Sequence, residues 1–139
     1  MTNEALHIFV YGTLKPGEAN FEIYCGNRVI SSQRAYVYGE LYDLPSLGYP
    51  GLLHGNSQVH GFVLWFNHST ILQELDELED FKPHRHPAEN DYNRESIVAH
   101  ISDDRTSSLW AWTYFMNPDL IERLGGVHLP DGWWEPKPT

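Results

Sequence analysis

The stretch Gln33-Arg34-Ala35-Tyr36-Val37-Tyr38-Gly39-Glu40-Leu41-Tyr42-Asp43-Leu44 alternates with a period of two. Tyr36, Tyr38, Glu40 and Tyr42 share one face, and Ala35, Val37, Gly39 and Leu41 share the other. Successive side chains of a strand point to opposite faces, so this is a β-strand with both faces occupied. Upstream, Leu6 to Val10 is a short apolar strand stopped by Tyr11-Gly12-Thr13-Leu14-Lys15-Pro16-Gly17, where two Gly and a Pro force a loop. Residues 18–25 then read as a short helix. Downstream, Pro45-Ser46-Leu47-Gly48-Tyr49-Pro50-Gly51 is a turn cluster, His54-Gly55-Asn56 a second turn, and residues 58–66 a third strand. Asn67-His68-Ser69-Thr70 offers several N-caps for a helix from Ile71 to about Glu79. Residues 80–91 hold two prolines and read as a loop. Tyr92–Ile101 and Ser108–Met116 flank an Asp103-Asp104-Arg105-Thr106 turn as a hairpin, with Trp110, Trp112 and Tyr114 on one face. Residues 118–124 form a short helix with Pro at its first turn. The tail from Gly125 is too rich in Gly and Pro to assign. Five or six strands with two or three short helices predict an α+β fold, a curved, barrel-like mixed sheet with helices at its edge.

Composition bounds what such a fold does. A chain of 139 residues, 41% hydrophobic, makes one domain with a real core, spanning 1–139, and is too short for a multi-domain machine. Its aromatic content of 14% favours strands, where such side chains fit a pleated, half-buried surface. Nine Lys and Arg against nineteen Asp and Glu give a net charge of −10, which excludes tight binding to nucleic acid or anionic lipid through phosphate neutralisation. A small or cationic partner is the expectation. The single cysteine, Cys25, rules out an internal disulfide and a Cys-x-x-Cys zinc site, and fits a reducing compartment. Glu4 and the lack of Lys or Arg ahead of the first apolar stretch are the reverse of a secretory signal. The longest apolar run, residues 62–66, is far below the roughly 20 residues that span a bilayer. These features predict a soluble cytoplasmic protein.

Two features carry chemistry. In the helix from Ile71, the residues Ile71, Leu72, Leu75 and Leu78 make one apolar arc, with Glu74 and Glu77 opposite. Glu79 lies seven residues after Leu72 and so projects within about 20° of it, into the apolar arc. A carboxylate aimed at the core acquires a raised pKa or a dedicated partner, and a raised pKa makes a general base. The bland reading is a frayed helix end, or a structural pairing with Arg94 or Arg85. The second feature is the loop at Tyr11 to Gly17. Gly12 allows close backbone approach, successive amides there cradle a carboxylate or oxyanion, and Thr13 adds a hydroxyl. Its alternative is an ordinary strand-exit turn, and no phosphate-binding Gly-rich motif is present. His84 and His86, near Glu89 and Asp91, lack helical metal-ligand spacing and read as a mobile, solvated lid rather than a metal site. Cys25 has no partner that marks it as a nucleophile, and no Gly-x-Ser-x-Gly elbow occurs.

Three blocks in order, Phe9-Val10-Tyr11-Gly12-Thr13-Leu14-Lys15-Pro16-Gly17, Leu75-Asp76-Glu77-Leu78-Glu79-Asp80 and Tyr92-x-Arg94, resemble the gamma-glutamylcyclotransferase-like family. The resemblance covers residues 8 to 116. It implies a small mixed barrel with short helices, in which the loop matching Tyr11, Gly12, Thr13 and Leu14 holds the glutamyl part of the substrate through backbone amides. It also implies that the residue matching Glu79 is the acid/base and that Tyr114, by its order in the chain, contacts substrate. Asp80 stands where some members have Gly, residues 80–91 are longer than in compact members, and Trp133-Trp134 matches no motif. The implied reaction is release of 5-oxoproline from a gamma-glutamyl amide by attack of its own α-amine. The nucleophile is tethered, so the protein folds the substrate back and moves protons, with no metal or cofactor. The competing readings are a catalytically silent binder of glutamyl compounds or 5-oxoproline, and an interaction module using Trp133 and Trp134. The leaving group and the oligomeric state are left open by the sequence.

Overall fold

The computed structural model describes residues 6–104 and 106–136. Glu4, Arg105 of the predicted turn and the last three residues of the tail lie outside the described residues. The elements run β1 (Leu6–Val10), α1 (Phe21–Tyr24), β2 (Ser31–Leu44), β3 (Tyr49–Phe66), α2 (Thr70–Leu78), a 3₁₀ turn (Pro87–Glu89), β4 (Tyr92–Ile101), β5 (Ser108–Met116), α3 (Pro118–Arg123) and β6 (Val127–His128). Five strands close on themselves in the order β3-β1-β5-β4-β2, with β2 pairing back to β3 and β6 added beside β2. The β1 and β5 strands are parallel, meeting at Ile8 and Trp112, and the other pairings are antiparallel, so the barrel is mixed. The fold is therefore the small α+β barrel with short flanking helices that the sequence predicts. Among the described residues no helix is long and apolar enough to cross a membrane.

Alternation along the strands separates two cores. Phe9, Ala35, Val37, Leu41, Leu52, Val59, Val63, Ala99, Ala111 and Phe115 form one buried cluster. Residues of the opposite parity, among them Leu6, Ile8, Val10, Leu64, Tyr92, Tyr114 and Met116, form the other, together with Ile71 and Leu75 of α2 and Ile121 of α3. On β2 the small face, Ala35 to Leu41, is the buried one, and the aromatic face looks outward. A tight barrel interior accepts small and aliphatic side chains, and the helices cover the outside.

Two local readings change. The predicted turn at His54-Gly55-Asn56 does not separate strands: β3 runs unbroken from Tyr49, and these residues form the extra length of a bulge between Gly39↔Ser57 and Glu40↔Leu53. A bulge bends a strand without ending it, and a barrel needs such bends. The predicted side-chain caps of α2 are also missing, since its N-cap residue Ser69 makes no side-chain capping bond. The apolar packing of Ile71 and Leu75, both buried, holds this nine-residue helix in place.

Candidate active site

β1 ends under the loop that the sequence marks, and the loop is tightly folded. The Lys15 amide donates to the Gly12 carbonyl at 3.1 Å, and the Asn20 amide to the Thr13 carbonyl at 2.9 Å. The Asn20 side-chain amide donates to the Thr13 hydroxyl at 3.0 Å. Among the described residues, no acceptor takes the amides of Gly12, Thr13 and Leu14. Gly12 is required for a reason the sequence did not reveal: a Cβ there would lie 2.8 Å from Pro50 Cδ and Cγ. The close approach of Pro50 on β3 leaves no room for a side chain here.

Helix α2 stops at Leu78, and Glu79 is its C-cap. The Phe81 amide donates to the Asp76 carbonyl at 2.8 Å and the Asp80 amide to the Glu77 carbonyl at 3.2 Å, the paired bonds of a Schellman ending. Asp80 supplies the left-handed residue, at φ 52. This ending turns the chain sharply just after Glu79 and leaves its side chain in a cavity of about 290 Å³. Tyr11, Gly12, Thr13, Leu14 and Tyr114 line the same cavity, so every site residue named from the sequence borders one space. Asn20, Tyr49, Pro50, Asp91 and Tyr92 join them there.

Burial pushes the Glu79 carboxyl up to about 7. Neither arginine considered for it is its partner: Arg94 Nε lies 3.3 Å from Asp76 Oδ1, and Arg85 Nε donates to Asn90 Oδ1 at 2.6 Å. The phenols around it stay neutral. Tyr11 is raised well above its ordinary value by burial and then by Glu79, and its hydroxyl donates to the Tyr114 carbonyl at 2.5 Å. Tyr92 is raised mainly by burial, and its hydroxyl donates to the Pro50 carbonyl at 2.7 Å. Tyr114 is raised by burial and by its bond to Asp76, donated at 2.7 Å. Burial raises Asp76 itself, against the lowering effects of Tyr114 and Arg94. Arg94, whose guanidinium lies 4.8 Å from the Trp112 ring centroid, thus holds Asp76, which holds Tyr114. The cavity joins a carboxyl poised near neutrality, neutral hydroxyls and a turn with unclaimed amides, a set able to bind a carboxylate and shuttle a proton.

The loop after Glu79 is not an open flap. Asn90 is buried and bonds Lys82, Arg85 and Asn93, and His86 accepts from the Ala88 amide to cap the 3₁₀ turn. His84 and His86 do not line the cavity, whereas Asp80 and Asp91, the two ends of the loop, do. Burial pushes the Cys25 thiol up to about 11, which leaves it unreactive at neutral pH. Tyr92 and Arg94 belong to the third sequence block, yet only the fold shows what they touch. Tyr49 and Asn20 carry no signal in sequence.

A family model described as gamma-glutamyl cyclotransferase, AIG2-like, matches residues 8–136. The chain is 34% identical over 114 residues to a gamma-L-glutamyl-butirosin B gamma-glutamyl cyclotransferase of Niallia circulans, covering 81% of this chain and 68% of that one. It is 38% identical over 90 residues to a putative gamma-glutamylcyclotransferase of Vibrio cholerae, covering 65% and 70%. The crystal structure of an AIG2-like protein from Mus musculus superposes with a TM-score of 0.70 at 18% identity, over 98% of this chain and 97% of that one.

Proposed function

Because the chain belongs to the gamma-glutamyl cyclotransferase, AIG2-like family and is a cyclotransferase-type enzyme, we propose that it releases 5-oxoproline from a gamma-glutamyl amide, with Glu79 as the acid/base. The substrate α-carboxylate rests against the amides of Gly12, Thr13 and Leu14, which folds the glutamyl group back on itself. Its α-amine then attacks the γ-carbonyl carbon, and Glu79 takes a proton from that nitrogen. The tetrahedral intermediate collapses as Glu79 returns the proton to the leaving nitrogen, breaking the amide bond and giving a free amine and 5-oxoproline. A base with a pKa of about 7 is half ionised at neutral pH, and the same group is acidic enough to return the proton. Tyr114, held by Asp76, borders the path of the glutamyl chain.

The observation that carries this reading is the Glu79 carboxyl, raised by burial, in one cavity with the Tyr11 to Leu14 turn. The test is a panel of gamma-glutamyl amides that differ only in the leaving amine, read out by 5-oxoproline release. Wild type is expected to turn over at least one of them, and Glu79→Gln to lose at least about 10²-fold while remaining folded. Thermal protection by 5-oxoproline without turnover of any panel member would identify a silent binder instead.

A further inference from the structure

The loop that borders the cavity carries a second buried charge with no part in the reaction described. Lys15 follows Leu14 directly and is only 1% exposed. Its ammonium donates to the Trp134 carbonyl at 2.5 Å and lies 3.4 Å from the Trp133 ring centroid and 5.8 Å from that of Trp134. Burial lowers its pKa, and Glu18 and Glu135 act in the opposite direction. An ammonium leaves water at a cost of several kcal/mol unless it is compensated, and here a carbonyl and two indole faces replace the water.

The tail that receives it is itself fixed. Trp134 is 2% exposed, and its indole N–H donates to Asp43 Oδ1 at 3.0 Å. The Leu129 amide donates to the Leu41 carbonyl, and the His60 amide to the Gly132 carbonyl, both at 2.8 Å. Gly132 adopts φ 70 at a point where a Cβ would lie 2.0 Å from the Gln58 carbonyl oxygen. The tail is thus pinned to β2 and β3, and Lys15 is pinned to the tail. The Lys15 backbone in turn closes the turn on Gly12.

We propose that Lys15 is a positioning residue and that Trp133 and Trp134 are its platform, together holding the Gly12 to Leu14 turn where it receives the glutamyl end of the substrate. The substrate part of this inference rests on the function proposed above, and the geometric part does not. The ring faces of Trp133 and Trp134 serve the chain's own lysine, which displaces the expectation that they dock another protein.

Lys15→Met, Lys15→Arg and Trp133→Leu test it with two readouts. The first is hydrogen exchange, in the free protein, at the amides of residues 15 and 20, whose bonds to the Gly12 and Thr13 carbonyls close the turn. Exchange is expected to quicken by about tenfold or more in Lys15→Met and Trp133→Leu, with the β4 and β5 amides unchanged. The second is kinetic. The KM for a gamma-glutamyl amide and the inhibition constant of 5-oxoproline are expected to rise together about tenfold, with kcat changed less than about threefold and most of the loss recovered in Lys15→Arg. A lower melting temperature with unchanged exchange, KM and inhibition constant would reduce the tail to a stability element and overturn the proposal. If wild type turns over no gamma-glutamyl amide, the proposed function fails, and the exchange readout still decides the positioning role. Should Lys15→Met fail to fold, Trp133→Leu, at a half-buried position, carries the same expectation.

Discussion

A carboxylic acid with an ordinary pKa of 4.5 that reaches about 7 in the fold retains a proton over the interval between those values, where the unfolded chain has lost it. The folded state then binds more protons than the unfolded one, so stability falls as pH rises through this window. The cost is absent below about pH 4.5 and complete above about pH 7, where it reaches at most about 3 kcal/mol. Glu79→Gln removes the charge, so this variant is expected to melt above wild type at pH 8 and level with it at pH 4.5. The wild-type kcat/KM should rise with the ionised fraction of Glu79, reaching half its maximum near pH 7 and levelling off about one pH unit higher. Calorimetry and a pH–rate profile check both, and a variant less stable than wild type at pH 8 would show that the charge is welcomed rather than tolerated. The position of Glu79 was legible in sequence because it is set locally, by the run of α2 and its ending at Leu78, which makes Glu79 the C-cap. Tyr49 and Asn20 were not, because their places in the cavity depend on where β3 and the segment before α1 fold against β1.

At the scale of elements, the ending of α2 decides where Glu79 points, and it relies on a residue ill suited to its conformation. A left-handed backbone costs most side chains about 1 kcal/mol or more, less for Asp and nothing steric for Gly. Asp80 has φ 52, and its side chain, largely exposed, offers only a 3.6 Å contact to Arg85 in return. The stronger bond from Arg85, to the Asp80 carbonyl at 2.6 Å, survives any substitution of the side chain. The expected order of melting temperature is therefore Gly above Asp above Ala at this position, with Asp80→Gly gaining roughly 0.5–1 kcal/mol, a few degrees. Equal melting of Gly and Ala variants would show that the φ angle relaxes. The strands β4 and β5 were readable to the residue because their turn is short and their alternation clean. The unity of β3 was hidden, since His54-Gly55-Asn56 has turn composition while its role is to bend a strand in which the partner of Ser57, Gly39, lies eighteen residues earlier.

Across the whole molecule, closure of the barrel brings β1, β3, β4 and β5 to one cavity, and net charge then bears on its traffic. Among the described residues the lining contains no Lys, Arg or His, and its exposed members are Tyr49, Asp80 and Asp91. Arg85, 3.6 Å from the Asp80 carboxylate, offsets part of its charge, and Asp91 with an overall charge of −10 behind it keeps the rim negative. The folded loop turns its acidic ends, Asp80 and Asp91, toward the opening, while His84, Arg85 and His86 of its middle stay out of the lining. A leaving portion passing two carboxylates at about 8 Å in water feels about 0.5 kcal/mol from each, attractive for a cation and repulsive for an anion. At 10 mM salt the screening length is about 30 Å, so both act, and at 1 M it is about 3 Å, so neither does. For two gamma-glutamyl amides matched in size, kcat/KM is expected to favour the cationic leaving amine over the anionic one by about tenfold or more at low salt. High salt should collapse that ratio toward the value set by contact alone. Asp80→Asn with Asp91→Asn should collapse it at low salt, whereas His84→Gln with His86→Gln should leave it standing. A ratio that ignores salt and both acidic substitutions would mean that the leaving portion exits elsewhere and that the rim has no part in choosing it.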